Sequence, residues 1–182
     1  LPLLGPEAFS TFSEWGKYAH NFLSFPFTIG VIVIFVIWIT GNIPNKVDVD
    51  WVKRGGGIVG HDHPPAYRIN AGQKGIFWLQ MLGGTAMVIT GFLLLFPFYG
   101  TTVGDMQLAE VAHSVVAMLY IAAILGHIYI GTLGMEGAFE AMGSGTVDLN
   151  WAKEHHSLWL EQEKARIGAN ESQPQPMGAP AE

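Results

Sequence analysis

Three stretches of this chain contain no Lys, Arg, Asp or Glu: residues 18–45, 75–104 and 111–135. Each holds about twenty apolar positions, enough for a helix to cross a hydrocarbon core of about 30 Å. Lipid offers no hydrogen bonds to a backbone, so such runs are confined to helices or closed barrels. Uninterrupted runs, as opposed to alternating ones, select helices. The sequence therefore predicts an all-α integral membrane helical bundle with three spanning helices, over about 20–41, 76–98 and 109–133. Only 13% of the 182 residues are charged, against about 25% in soluble domains.

The third stretch carries the chemistry. Within AHSVVAMLYIAAILGHIYIGTL the only ionisable groups besides tyrosines are His113 and His127, fourteen residues apart. At about 100° per residue they share a helix face to within roughly 40°, and at about 1.5 Å per residue they lie roughly 21 Å apart. An ionisable side chain in hydrocarbon is costly and marks a functional site by default. Two stacked b-type haems, each taking one ligand from this helix, account for the pair. The alternative is that each imidazole bonds a neighbouring helix or lines a polar path. Cysteine is absent, which excludes disulfides, thiolate-held iron–sulfur clusters and covalent c-type haem. The net charge of −6 provides no basic surface for nucleic acid.

In chain order, residues 1–18 mix Pro, Gly and Ser with Phe9, Phe12, Trp15 and Tyr18, a composition suited to headgroup depth, and read as a surface approach to a helix. NFLSFPFTIGVIVIFVIWITG follows as the first span, with Pro26 in its opening turns and His20 at its head. The loop 42–75 reads as turns; its His61 and His63 read as solvated side chains. IFWLQMLGGTAMVITGFLLLFPF is the second span, where Gly83, Gly84 and Gly91 admit a partner helix or a flat macrocycle. After the third span, Trp151, Leu158 and Leu160 mark an amphipathic stretch, and residues 167–182 read as a disordered tail. One cytochrome-like membrane domain thus covers 1–166.

Eight of the nine basic residues lie in the loop 42–75 and after the third span. The positive-inside rule places both in the cytoplasm and the N-terminal segment in the periplasm of a bacterial inner membrane. His20 and His113 then lie at matching depth towards the periplasm, as two axial ligands of one haem must. His127 lies towards the cytoplasm with no intramembrane histidine to face.

The runs INAGQKGIFW, IPNKVDVDW, AHSVVAMLYIAAILGHIYIGTL and WAKEHHSLWLEQE, in that order, resemble the gamma subunit of respiratory formate dehydrogenases, a di-haem cytochrome b556. The resemblance covers roughly residues 16–163. It implies four spans and two b haems, with His20 and His113 as iron ligands of the periplasmic-side haem and His127 as a ligand of the cytoplasmic-side one. It also implies a quinone site, for menaquinone or ubiquinone, formed by Asn70, Gly72 and Gln73 beside His127. From the residues alone, Asn70 reads as a helix cap, and Lys74 as an anchor at the helix end. The family's first helix, with the second ligand of the cytoplasmic-side haem, is expected ahead of Leu1. The implied partners are an iron–sulfur beta subunit and a molybdenum or tungsten catalytic alpha subunit, which oxidises formate. Related cytochromes serve nickel–iron hydrogenase or thiosulfate reductase, and a haem-free anchor or transporter subunit is the reading from another class. His155 and His156 are left as solvated, proton-relaying or partner-facing side chains, and not as ligands.

Overall fold

The computed structural model describes residues 5–57, 63–97 and 99–171; His61 and residues 172–182 lie outside them. All regular elements among the described residues are helical: α1 (Gly5–Trp38), α2 (Lys46–Lys53), α3 (Ala71–Leu95), α4 (Val103–Tyr129), α5 (Glu140–Gly143), α6 (Leu149–His155) and α7 (Ser157–Glu171). Three of them are long and apolar enough to cross a membrane: α1, α3 and α4 with its extension to Gly134. Their lengths of 34, 25 and 32 residues correspond to about 38–51 Å, so each exceeds the hydrocarbon core.

The chain divides into two compact units. The first comprises residues 1–43 and 76–129, and therefore holds most of the three long helices. Its outward faces carry large apolar side chains such as Phe22, 82% exposed, and Leu119, 67% exposed, which only a lipid solvent tolerates in such number. The aromatic segment before the first span is not a separate approach. It forms the opening turns of α1, because nothing between Glu7 and Phe25 breaks a helix. At Pro26 the missing N–H is bracketed by hydroxyls that donate to the backbone, Ser24 to Asn21 and Thr28 to Ser24, each at 2.7 Å. Asn42, 3% exposed, ends the helix. Its side-chain amide donates to the Trp38 carbonyl at 2.8 Å, and its own carbonyl accepts from the Trp78 indole of α3 at 3.0 Å.

Glycine governs how closely α3 is approached. A Cβ at Gly83 would stand 2.8 Å from the Tyr120 ring of α4, and one at Gly84 3.0 Å from Val31 of α1. The Tyr120 hydroxyl donates to the Gln80 carbonyl at 3.4 Å. Phe25 of α1 meets Phe92 of α3 edge to face, with ring centres 5.7 Å apart.

The second unit comprises residues 44–75 and 130–182. Its first segment is not all turn, as its composition implied. Asn45 accepts the amides of Val47 and Asp48 at 2.9 and 3.2 Å, and Asp48 accepts the Asn45 amide at 2.7 Å. This reciprocal capping box starts α2. Asp48 also pairs with the Lys74 ammonium at 2.7 Å, the two side chains being 12% and 7% exposed. Lys74 thus turns inward and does not anchor the helix end at the lipid surface. Trp51 lies over Gly56 and Gly72, where a Cβ would approach its ring to 2.5 and 3.1 Å.

Beyond α4 a π-helical turn, Ile130–Gly134, leads to α5 and α6. Asp148 caps α6 by accepting from Asn150 and Trp151 at 2.8 and 3.2 Å. The α6–α7 corner holds the irregular segment 64–67: Leu158 and Trp159 donate to Ala66 at 3.2 and 3.4 Å. α7 continues to Glu171, five residues into the segment expected as tail.

Removing one partner of a buried ion pair costs about 3–5 kcal/mol. Asp48→Asn is therefore expected to lower the melting temperature of the detergent-solubilised protein, followed by Trp51 fluorescence. The double replacement Asp48→Leu with Lys74→Met is expected to recover most of the loss.

Candidate functional site

The first unit brings two of the predicted site residues together. His20 lies on the exposed first half of α1 and His113, half-buried, on α4; their ring centres are 6.1 Å apart and their planes meet at 76°. A metal–imidazole bond is about 2.0–2.1 Å, and a ring centre lies about 1.1 Å behind its nitrogen, so two imidazoles on opposite sides of one ion have centres about 6 Å apart. At that spacing the two imidazoles could hold one iron ion between them, in a chain whose lack of thiols leaves histidine as its strongest iron donor. Gly91 of α3 makes room for His113, since a Cβ there would reach 3.3 Å from His113 Cε1. The Thr90 hydroxyl lies 2.8 Å from His113 Nδ1. Nothing in the sequence singles out Thr90, a lone hydroxyl in an apolar span.

His127 belongs to the same unit and lies exposed on α4. The helix is α-helical throughout the interval from His113, so the two side chains do share a face. Besides this residue, the unit contains only His20 and His113 as histidines.

The residues expected at a quinone lie in the second unit. Asn70 caps α3: its side-chain oxygen accepts the Gln73 amide at 2.9 Å, and the Gln73 side-chain oxygen accepts the Asn70 amide at 2.9 Å. Both carbonyl oxygens are thereby occupied, and neither side-chain NH₂ group donates to another of the described residues. Gly72 stands between them, its space taken up by the Trp51 ring and the Asn70 oxygen, 3.1 and 3.3 Å from a would-be Cβ.

The second unit also gathers a histidine cluster that sequence left unassigned. His156 is 3% exposed, with Nδ1 2.7 Å from the Tyr67 carbonyl. Trp151 packs against the rings of both His155 and His156, at 5.1 and 5.2 Å. His63 lies 5.5 Å from His155 and pairs with Glu154 at 2.9 Å. His156 is accordingly a packed, bonded core residue and not a solvated one. The signal available was its place beside Trp151 and Ala152 between two short helices. Burial lowers the His156 pKa, the Tyr67 carbonyl opposes that, and His155 adds to it. Burial also lowers that of His155, with Glu154 opposing and His63 adding.

Comparison with known proteins gives the following. The family model described as prokaryotic cytochrome b561 matches residues 3–145. The cytochrome b556(Fdn) subunit of the nitrate-inducible formate dehydrogenase of Escherichia coli strain K12 is 30% identical over 159 residues, covering 84% of this chain and 72% of the relative. The cytochrome b556(fdo) subunit of formate dehydrogenase from the same organism is 28% identical over 152 residues, covering 82% and 72%. The formate dehydrogenase cytochrome b556 subunit of Haemophilus influenzae is 28% identical over 152 residues, covering 79% and 62%.

The lowered pKa of His156 fixes the sign of a pH dependence. The folded corner binds fewer protons than the unfolded chain, so its stability is complete above the ordinary histidine value of about 6.5 and is lost as pH falls below it towards and through the lowered folded value. Hydrogen exchange at Leu158 and Trp159, corrected for intrinsic rates, is expected to accelerate between pH 7.5 and 5.5. In His156→Asn, which keeps a donor to Tyr67 but does not titrate, that acceleration is expected to shrink.

Proposed function

The chain belongs to the prokaryotic cytochrome b561 family of multi-pass, haem b electron-transfer proteins, and we propose that it is the quinone-reducing cytochrome subunit of a respiratory formate dehydrogenase. In this reading it receives electrons from an iron–sulfur subunit at the periplasmic face of a bacterial inner membrane and delivers them to quinone at the cytoplasmic face. A molybdenum or tungsten partner subunit oxidises formate. The names of the three relatives above support the assignment to formate dehydrogenase.

Bound b-type haem supplies reversible one-electron iron chemistry. His20 and His113 hold one such group between α1 and α4, and the observation that carries this is the 6.1 Å separation of two imidazoles that lie 93 residues apart in sequence. His127 holds a second, about 21 Å further along the same helix. Asn70 and Gln73 donate their side-chain NH₂ groups, unbonded among the described residues, to quinone carbonyl oxygens, which can only accept. Their own oxygens are committed to the helix start, so they cannot turn away from that task without uncapping α3. Reduction to quinol takes two electrons and two protons, the latter from the cytoplasm. Each electron moved inward against a potential stores about 2.3 kcal/mol per 100 mV.

The test is a reduced-minus-oxidised visible spectrum of the purified complex, with haem counted per chain by pyridine haemochrome, in the wild type and in His20→Ala and His113→Ala. Two b haems per chain, with each variant losing the same one, are expected. Full haem content in both variants would refute the ligand assignment, and no haem in the wild type would leave a bare membrane anchor. Asn70→Leu is expected to slow quinone reduction severalfold while haem content stays unchanged.

A further inference from the structure

We infer that Thr90 is a positioning residue for His113, fixing which imidazole nitrogen faces the iron and how strongly it donates. The inference rests on the ligand reading above and goes beyond it, since it concerns a residue of α3 that touches no iron. A hydroxyl has one proton. Thr90 Oγ1 lies 2.7 Å from the Ala86 carbonyl, 3.4 Å from the Met87 carbonyl and 2.8 Å from His113 Nδ1. Carbonyl oxygens can only accept, so the contacts with Ala86 and Met87 share the single threonine proton. The remaining contact then requires Nδ1 to carry hydrogen and donate to the Thr90 oxygen.

The consequence is a fixed tautomer. With Nδ1 protonated, the lone pair of His113 resides on Nε2, the nitrogen away from α3. Hydrogen bonding by the non-ligating nitrogen raises the basicity of the ligating one. A more basic imidazole stabilises ferric iron over ferrous, which lowers the reduction potential of that centre. Thr90 also fixes the ring's rotation. Gly91 admits the imidazole at 3.3 Å from where a Cβ would stand, and the hydroxyl pins its Nδ1 edge; the ring's plane stands at 76° to that of His20. If these two imidazoles hold one ferric iron with their planes near perpendicular, its d orbitals would lie close to degenerate. The expected signature is a highly anisotropic low-spin electron paramagnetic resonance signal with one dominant large-g feature.

The experiment compares Thr90→Val, which matches the side chain in shape and removes the hydroxyl, with Thr90→Ser, which keeps it, both in the full membrane complex. For Thr90→Val we expect a positive shift in the midpoint potential of one haem in an optical redox titration. Its large-g feature should collapse towards a rhombic spectrum, and its haem should be held about 10–100-fold less tightly. Thr90→Ser is expected to keep the wild-type potential and spectrum. Thr90→Val with full haem and both properties unchanged overturns the inference. Should Thr90→Val lose that haem outright, Thr90→Ser decides: retention at the wild-type potential supports the hydroxyl's role, and loss overturns it in favour of packing by the methyl group. Failure of the ligand reading shows separately, as full haem content in His113→Ala.

Discussion

The first unit depends on how little stands on one edge of α3. Gly83 and Gly84 present bare backbone to Tyr120 and Val31 at distances a methyl group would not survive. Lipid supplies no hydrophobic force between helices, so close packing of this kind has to do the work that water exclusion does elsewhere. The same helix then offers Gly91 and Thr90 two turns further along that face, where His113 needs both space and a polar partner. Packing and chemistry thus share an element: the smallness that lets α3 be approached is also what admits an imidazole.

The second unit follows a different logic, that of polar groups satisfied locally. Asn45 with Asp48, Asn70 with Gln73 and Asp148 with the start of α6 each cap a helix with a side chain two or three residues away. Long-range ties then join these pieces, through Asp48 to Lys74 and through His156 to Tyr67. Little apolar area is needed, which suits segments that lie outside the hydrocarbon.

The three long helices were legible in the sequence because charge-free runs of that length have few other fates. The same-face relation of His113 and His127 was legible too, since it follows from helical geometry alone. The meeting of His20 with His113 followed from matching depth once the basic loops had set an orientation. α2 was obscured by the glycines and prolines after it, although Asn45 and Asp48 spelled out its capping box. The fate of Lys74 and His156 was hidden for a physical reason: a lone charged or aromatic polar residue turns inward only if a partner waits there, and Asp48 and Tyr67 are 26 and 89 residues away. Thr90 was hidden in the same way. Asn70 was read from its own residues as a cap, and it is one; the reciprocal bond with Gln73 is what gives that cap two idle donors.

The π-helical turn that widens the end of α4 begins at Ile130, just past His127. Everything between the two histidines of α4 is therefore unbroken α-helix, and the peptide backbone acts as a ruler with fixed graduations. Insertion of a single residue within it would swing His127 by about 100° around the axis, and no side-chain flexibility would swing it back. A change of length in a loop of this chain leaves that geometry intact, whereas the fourteen-residue interval behaves as one indivisible part.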